Sequence, residues 1–301
     1  MSTLKQLTLL VLLLSLVACS SPGGTPVDSA ASPTPVTATL TETPSAPTAA
    51  LPPMALTVNG DGISVEAFNA EATRYQAAQT ALGNQVTSEQ VATAVSEEFI
   101  AQLLLAQGAA EAGFTLDKPG LQARIDVLSA KLGGADKLAA WQQAHGYTDQ
   151  SFREALLREA AAAWMRDKII SAVPSTAEQV HVRQILLYNQ NNAQKYWDLL
   201  QAGSSFETIA AQVDPVTRGD IGWIPRGYLS EKAVEDAAFA LEPDKYSAII
   251  QDKAGFHILK LIERQPARLL SPDQRLTLQT RALSAWIADR RQNSTVVLAP
   301  K

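Results

Sequence analysis

Few residues in this chain have both the type and the setting for chemistry. His257 stands between Phe256 and Ile258 in the run Ala254-Gly-Phe-His-Ile-Leu-Lys-Leu261, a titratable ring on an apolar strand. Gln184 sits in Val180-His-Val-Arg-Gln-Ile-Leu-Leu187, where an amide can donate and accept but not titrate. Asp214 precedes Pro215, a pair that also suits plain turn initiation. Leu229, Val234, Phe239 and Trp223 are apolar candidates for a binding wall, and each could equally be core. The three histidines are scattered without metal-ligand spacing, and one cysteine excludes an internal disulfide framework.

The elements that must position these residues are readable from residues 178–264. The β-branched and aliphatic run 180–187 reads as a strand. Tyr196, Leu199 and Leu200 share a helical face that Gly203 ends, and Ser205 suits the N-cap of a second helix starting at Phe206. Residues 221–224 read as a short strand entered through Gly219. Ser230 is expected to cap a third helix ending before Pro243. Residues 246–251 and 256–262 read as two strands joined by a tight turn at Gly255. The order strand, helix, helix, strand, helix, strand, strand is a small α+β domain.

In order and spacing, the pieces VHVRQILL, RGDIGWIPRGYL, VEDAAFAL and AGFHILKL resemble a parvulin-type (PpiC-like) peptidyl-prolyl cis/trans isomerase domain. The resemblance implies catalysis of X-Pro isomerisation, a reaction with a barrier of about 18–20 kcal/mol that needs no nucleophile, metal or cofactor. It needs an apolar pocket for the proline ring and a dry site that favours the twisted amide. Carried over by position, the resemblance implies a catalytic set of His257, Asp214 and Gln184, the last replacing a histidine common in the family. It implies a substrate wall of Leu229, Val234, Phe239 and Trp223. Ala254 occupies a place where some members carry a hydroxyl, and Val234 one where phenylalanine is common.

The rest of the chain frames that domain. Lys5 is followed by an apolar run to Ala18, shorter than the about 20 residues a membrane span requires, so residues 1–18 read as a secretory leader. Its end, Leu16-Val17-Ala18-Cys19, resembles the lipobox of bacterial lipoproteins, which implies cleavage before Cys19 and lipid on that residue. Residues 19–54 are rich in Pro, Ser, Thr and Ala with almost no charge, the composition of a disordered tether.

Residues 55–175 begin with Leu56-Thr-Val-Asn-Gly-Asp-Gly-Ile63 as a strand and turn, and Ser64 as a helix cap. The stripe Val91, Val95, Phe99, Leu103 follows a Thr87/Gln90 capping box. Further helices start at Asp117 and Thr148, with a short one near 138–144. This arrangement resembles the N-terminal chaperone region of SurA- and PrsA-type foldases. Residues 266–301 carry a helix begun by Ser271, Pro272 and Gln274. Leu276, Thr280, Leu283 and Ile287 share its face, with Trp286 beside it. Val296 to Leu298 suits a strand beside 56–58. The expected fold is therefore α+β: a helical module (55–175 with 266–301) into which a parvulin domain (176–265), a four-stranded mainly antiparallel sheet with surrounding helices, is inserted.

The net charge of −5 and the absence of a basic cluster argue against nucleic-acid binding. The expected protein is a lipid-anchored extracytoplasmic foldase, on the outer face of the cell membrane or facing a periplasm. It needs no cofactor, has weak isomerase activity, and binds unfolded or partly folded exported proteins and their X-Pro segments. The alternative is a holdase with a degenerate parvulin domain, favoured by Gln184 in place of a histidine.

Overall fold

The computed structural model describes residues 53–299; the leader, Cys19 and most of the tether lie outside them. β1 (Met54–Val58) and β2 (Asp61–Ser64) form an antiparallel hairpin. Its turn residues Asn59 and Gly60 both take positive φ, the geometry of a primed hairpin turn. α1 (Val65–Ala81) starts at Ser64, whose hydroxyl accepts from the Ala67 amide at 3.1 Å. α2 (Ser88–Glu111) opens with the Thr87/Gln90 capping box. α3 (Lys118–Leu132) is capped by Asp117 and α4 spans Ala135–Ala144. α5 (Asp149–Ser171) is capped by Thr148, with Ser151 as the reciprocal partner.

The insertion follows. It contains β3 (Thr176–Leu187), α6 (Gln190–Gln201), α7 (Phe206–Val213), β4 (Asp220–Pro225), α8 (Lys232–Ala240), β5 (Ile250–Gln251) and β6 (Phe256–Leu269). The chain then returns through α9 (Pro272–Gln292), begun by the Ser271/Gln274 capping box, and β7 (Val296–Leu298). β7 pairs antiparallel with β1, completing a three-stranded sheet in the order β2-β1-β7. The inserted sheet runs β4-β3-β6-β5, with every pair antiparallel.

In the helical module, Leu56, Val58 and Ile63 pack on Val91, Val95, Phe99, Ile100, Leu103 and Leu104 of α2. α9 joins this core through Trp286 and Ile287, whereas Leu276 is 63% exposed, so the expected apolar face of α9 is used only at its C-terminal end. Gly108 makes the approach possible. A Cβ there would lie 2.6 Å from the Trp286 ring. A smaller cluster of Ile125, Leu138, Phe152 and Leu156 joins α3, α4 and α5.

The inserted sheet is covered on both faces. On one, α8 lays Val234, Ala238 and Phe239 over Val180, Val182, Ile224, Leu259 and Leu261. On the other, α6 and α7 pack Leu200, Phe206 and Ile209 on Ile185, Leu187 and Ile258. Burying each such aliphatic side chain contributes about 1.5–3 kcal/mol.

Three local expectations differ from the structure. α8 begins at Lys232 after Glu231, without a side-chain cap, so Ser230 does not cap it. The expected strand over 246–251 shrinks to Ile250–Gln251, because Asp244 takes positive φ and the Ser247 hydroxyl accepts the Leu259 amide. β6 continues through Pro266 to Leu269, paired with an equally extended β3.

Candidate functional site

Register brings the first two candidates together. Gln184 stands opposite Leu259, and His257, two residues earlier on β6, points to the same face. The His257 Nδ1 lies 3.2 Å from Gln184 Oε1. The ring's other nitrogen, Nε2, lies 2.9 Å from Oδ1 of Asp252, with the His257 and Asp252 side chains only 7% and 5% exposed. This second contact is an electrostatic one, since the ring N–H is not aimed along it and Nε2 has no aligned hydrogen-bond partner.

Asp252 was not legible as a site residue. It belongs to the β5–β6 turn, where its Oδ1 also accepts the amides of Ala254 (2.7 Å) and Gly255 (3.0 Å). Burial pushes its carboxyl up. The His257 contact and the two amides outweigh that and hold it below the usual aspartate range. A buried carboxylate therefore sits against one end of the imidazole and an amide that can turn either way against the other. The only sequence signal was an Asp at the head of a glycine turn, five positions before the histidine.

Gln184 is fixed from behind. Its backbone N–H donates to the Gly219 carbonyl at 2.7 Å. Gly219 has φ +72°, and a Cβ on it would meet the Gln184 carbonyl oxygen at 2.1 Å, so only glycine allows this approach.

The apolar candidates divide. Leu229, Val234 and Phe239 share one cluster with Leu259, on the face of Gln184 and His257. Val234 and Phe239 are each 5% exposed, so among these three Leu229 offers surface to a ligand. Guanidinium groups cover Phe239, that of Arg226 at 4.0 Å from the ring centroid and that of Arg264 at 5.9 Å.

One candidate lies away from them. Trp223 pairs with His181 across β3 and β4, while the next pair, Val180 with Ile224, faces the α8 core. Strand alternation therefore puts Trp223 on the opposite face. There its ring stacks on His181 (5.4 Å) and under Arg268 (4.3 Å), beside a groove of about 680 Å³ that Gln179 and Gln274 also line. Asp214 caps the end of α7, and its carboxylate accepts the amides of Val216 (3.1 Å) and Thr217 (3.2 Å) and the Thr217 hydroxyl. Those bonds, led by the Thr217 hydroxyl, hold its carboxyl low. The acid that reaches His257 is Asp252.

With this geometry in view, similarity to known proteins is specific. Residues 157–263 match the PPIC-type PPIASE domain and residues 45–157 the SurA-like N-terminal domain. Foldase protein PrsA of Halalkalibacterium halodurans is 30% identical over 92 residues, 29% of this chain and 27% of that protein. Chaperone SurA of Alcanivorax borkumensis is 31% identical over 101 residues, 32% of this chain and 22% of that protein. The matched stretch thus spans about a quarter of these curated relatives' length. The crystal structure of PrsA from Bacillus cereus aligns with a TM-score of 0.45 at 18% identity, covering 80% of this chain and 92% of that one. The chain carries a PPIC-type peptidyl-prolyl isomerase domain joined to a SurA-like N-terminal domain.

Proposed function

We propose that the protein is an extracytoplasmic foldase that isomerises X-Pro bonds weakly and binds unfolded or partly folded exported chains. The observation that carries the isomerase reading is the contact of His257 with both Gln184 and Asp252 beneath an apolar wall. Rotation about the amide needs no bond to break. A site accelerates it by favouring the twisted amide, whose nitrogen regains a lone pair and whose carbonyl loses resonance. His257 is nearly buried, while Gln184 is half-buried. The Gln184 amide is then the polar group that meets the substrate, with His257 and Asp252 setting its orientation and field. Leu229 takes the proline ring. Val234 and Phe239 back it.

On this reading, residues 176–265 form the isomerase domain. Residues 55–175 with 266–301 form the client-binding module, residues 19–54 are a tether, and Cys19 is the lipidated anchor after an 18-residue leader. Two acyl chains or more are needed for stable anchoring. Cys19→Ser is expected to release the protein from membranes in cell fractionation; persistent, processed membrane protein would remove the anchor.

A second reading, a holdase without catalysis, is favoured by the near-burial of His257 and the amide in place of a second imidazole. NMR exchange spectroscopy on an Ala-Leu-Pro-Phe peptide separates the two. Catalysed cis/trans exchange by the full chain supports the foldase. No exchange enhancement, with suppressed aggregation of an unrelated unfolded protein, supports the holdase.

A further inference from the structure

The loop of residues 226–230 carries Leu229, the accessible part of the apolar wall. Its backbone is gripped from two sides by opposite charges. On the amide side, the Glu235 carboxylate accepts the N–H groups of Gly227 (2.8 Å), Tyr228 (3.0 Å) and Leu229 (3.0 Å). On the carbonyl side, Arg281 Nη1 donates to the Leu229 carbonyl at 2.8 Å and to that of Gly227. Glu235 belongs to α8, within the same domain. Arg281 belongs to α9, the helix that returns to the helical module.

α9 is itself anchored to that module. Gln279 Nε2 donates to the Ile170 carbonyl of α5 at 3.2 Å, Arg290 pairs with Glu111 of α2 at 2.5 Å, and Arg291 pairs with Glu97. Trp286 fills the space above Gly108. Toward the isomerase domain, Gln274 Nε2 donates to the Trp223 carbonyl at 2.7 Å, and a Cβ at Gly227 would lie 3.3 Å from Leu278. One helix therefore has its C-terminal half in the module's core and its N-terminal half on the backbone of the substrate wall.

We infer that Arg281 is a positioning residue for the isomerase site, holding Leu229 in place from the helical module; this rests on the isomerase reading above. Hydrogen bonds from a charged donor are among the stronger ones, and two of them on one short loop restrict it without touching the substrate. Losing them leaves Glu235, among the described residues, as the one side chain hydrogen-bonded to the backbone of residues 227–229, and Leu229 then samples positions that no longer meet the proline ring. Substrate binding weakens while the His257 pair is unchanged.

The test uses the full chain with Arg281→Met, which keeps the stem and removes the donors, Arg281→Lys, which restores one, and Arg275→Met, an exposed α9 control of equal charge change. Two quantities are read: amide hydrogen exchange across residues 226–231, and kcat and KM for an Ala-Leu-Pro-Phe anilide. Arg281→Met is expected to speed exchange of the loop amides about tenfold and to raise KM about fivefold, the worth of roughly one hydrogen bond. kcat should stay within about twofold and exchange elsewhere in the inserted sheet should not change. Arg281→Lys should recover part of both effects, and Arg275→Met should show neither. Unchanged loop exchange in Arg281→Met overturns the inference, as does faster exchange across the whole inserted sheet. Should the wild type not catalyse exchange at all, the isomerase reading fails, and the inference falls with it even if the loop amides respond.

Discussion

Oδ1 of Asp252 lies 2.9 Å from Nε2 of His257, and each of the two side chains is less than a tenth exposed. A buried acid against a buried imidazole constrains the ring's orientation, because both groups are shielded from bulk solvent. The Gln184 side-chain amide on the ring's other nitrogen completes a chain of three groups reaching from the β5–β6 turn across the sheet face that α8 covers.

Asp252→Asn keeps the shape and removes the charge. The amides of Ala254 and Gly255 retain an acceptor, so the turn should survive. The predicted result is a fall in kcat/KM of about tenfold with a melting temperature close to wild type, together with a changed 15N shift pattern of the His257 ring. An unaltered ring spectrum would show that Asp252 does not set the state of His257.

Glu207 and Lys260 give a pH prediction with a defined sign. They pair at 2.5 Å, and the hydrogen bond from Lys260 lowers the Glu207 carboxyl from 4.5 to about 2. A depressed carboxyl contributes stability that is fully present above its unfolded value and is lost as pH falls through its folded value. Glu207→Gln should therefore be less stable than wild type at pH 6, by no more than about 1 kcal/mol because Glu207 is partly exposed. The difference should vanish near pH 2 in urea melts. A difference that persists there would contradict the pairing.

Gly108→Leu probes how α9 is seated. A Cβ at Gly108 would meet Trp286 at 2.6 Å, so the substitution overpacks the α2–α9 contact at a cost of about 1–3 kcal/mol. Trp286 fluorescence should shift red as the ring is expelled. An unshifted spectrum with full stability would mean that α9 can reseat without loss.

What was legible in the sequence was mostly local. Ser64, Thr87, Asp117, Thr148 and Ser271 were readable as caps because each acts on an amide within one turn. Ser230 offered the same signal and fails, since α8 begins only at Lys232, with Glu231 in the cap position. Trp223 was placed in the site by its position in the resemblance, whereas alternation from Ile224, which packs under α8, puts it on the opposite face. Asp252 was passed over because an acid heading a glycine turn satisfies its local amides whether or not a histidine folds back on it. The strand expected over 256–262 runs on through Pro266 to Leu269. The return of α9 was readable from its cap and from the strand that follows. Its grip on the Gly227 and Leu229 carbonyls was not, because main-chain acceptors leave no mark on residue types.

The most direct measurement is the rate of cis/trans exchange on one X-Pro peptide for wild type, Gln184→His and His257→Ala, in the full chain. The account predicts weak wild-type catalysis and a faster Gln184→His enzyme, in which a second imidazole faces His257 across the diagonal of β3 and β6. A misplaced or missing electrostatic donor in such a site costs about a hundred- to thousandfold, which bounds the gain. His257→Ala should lower the rate with the inserted sheet still folded. Equal rates in all three proteins would contradict the account and place catalysis, if any, away from Gln184 and His257.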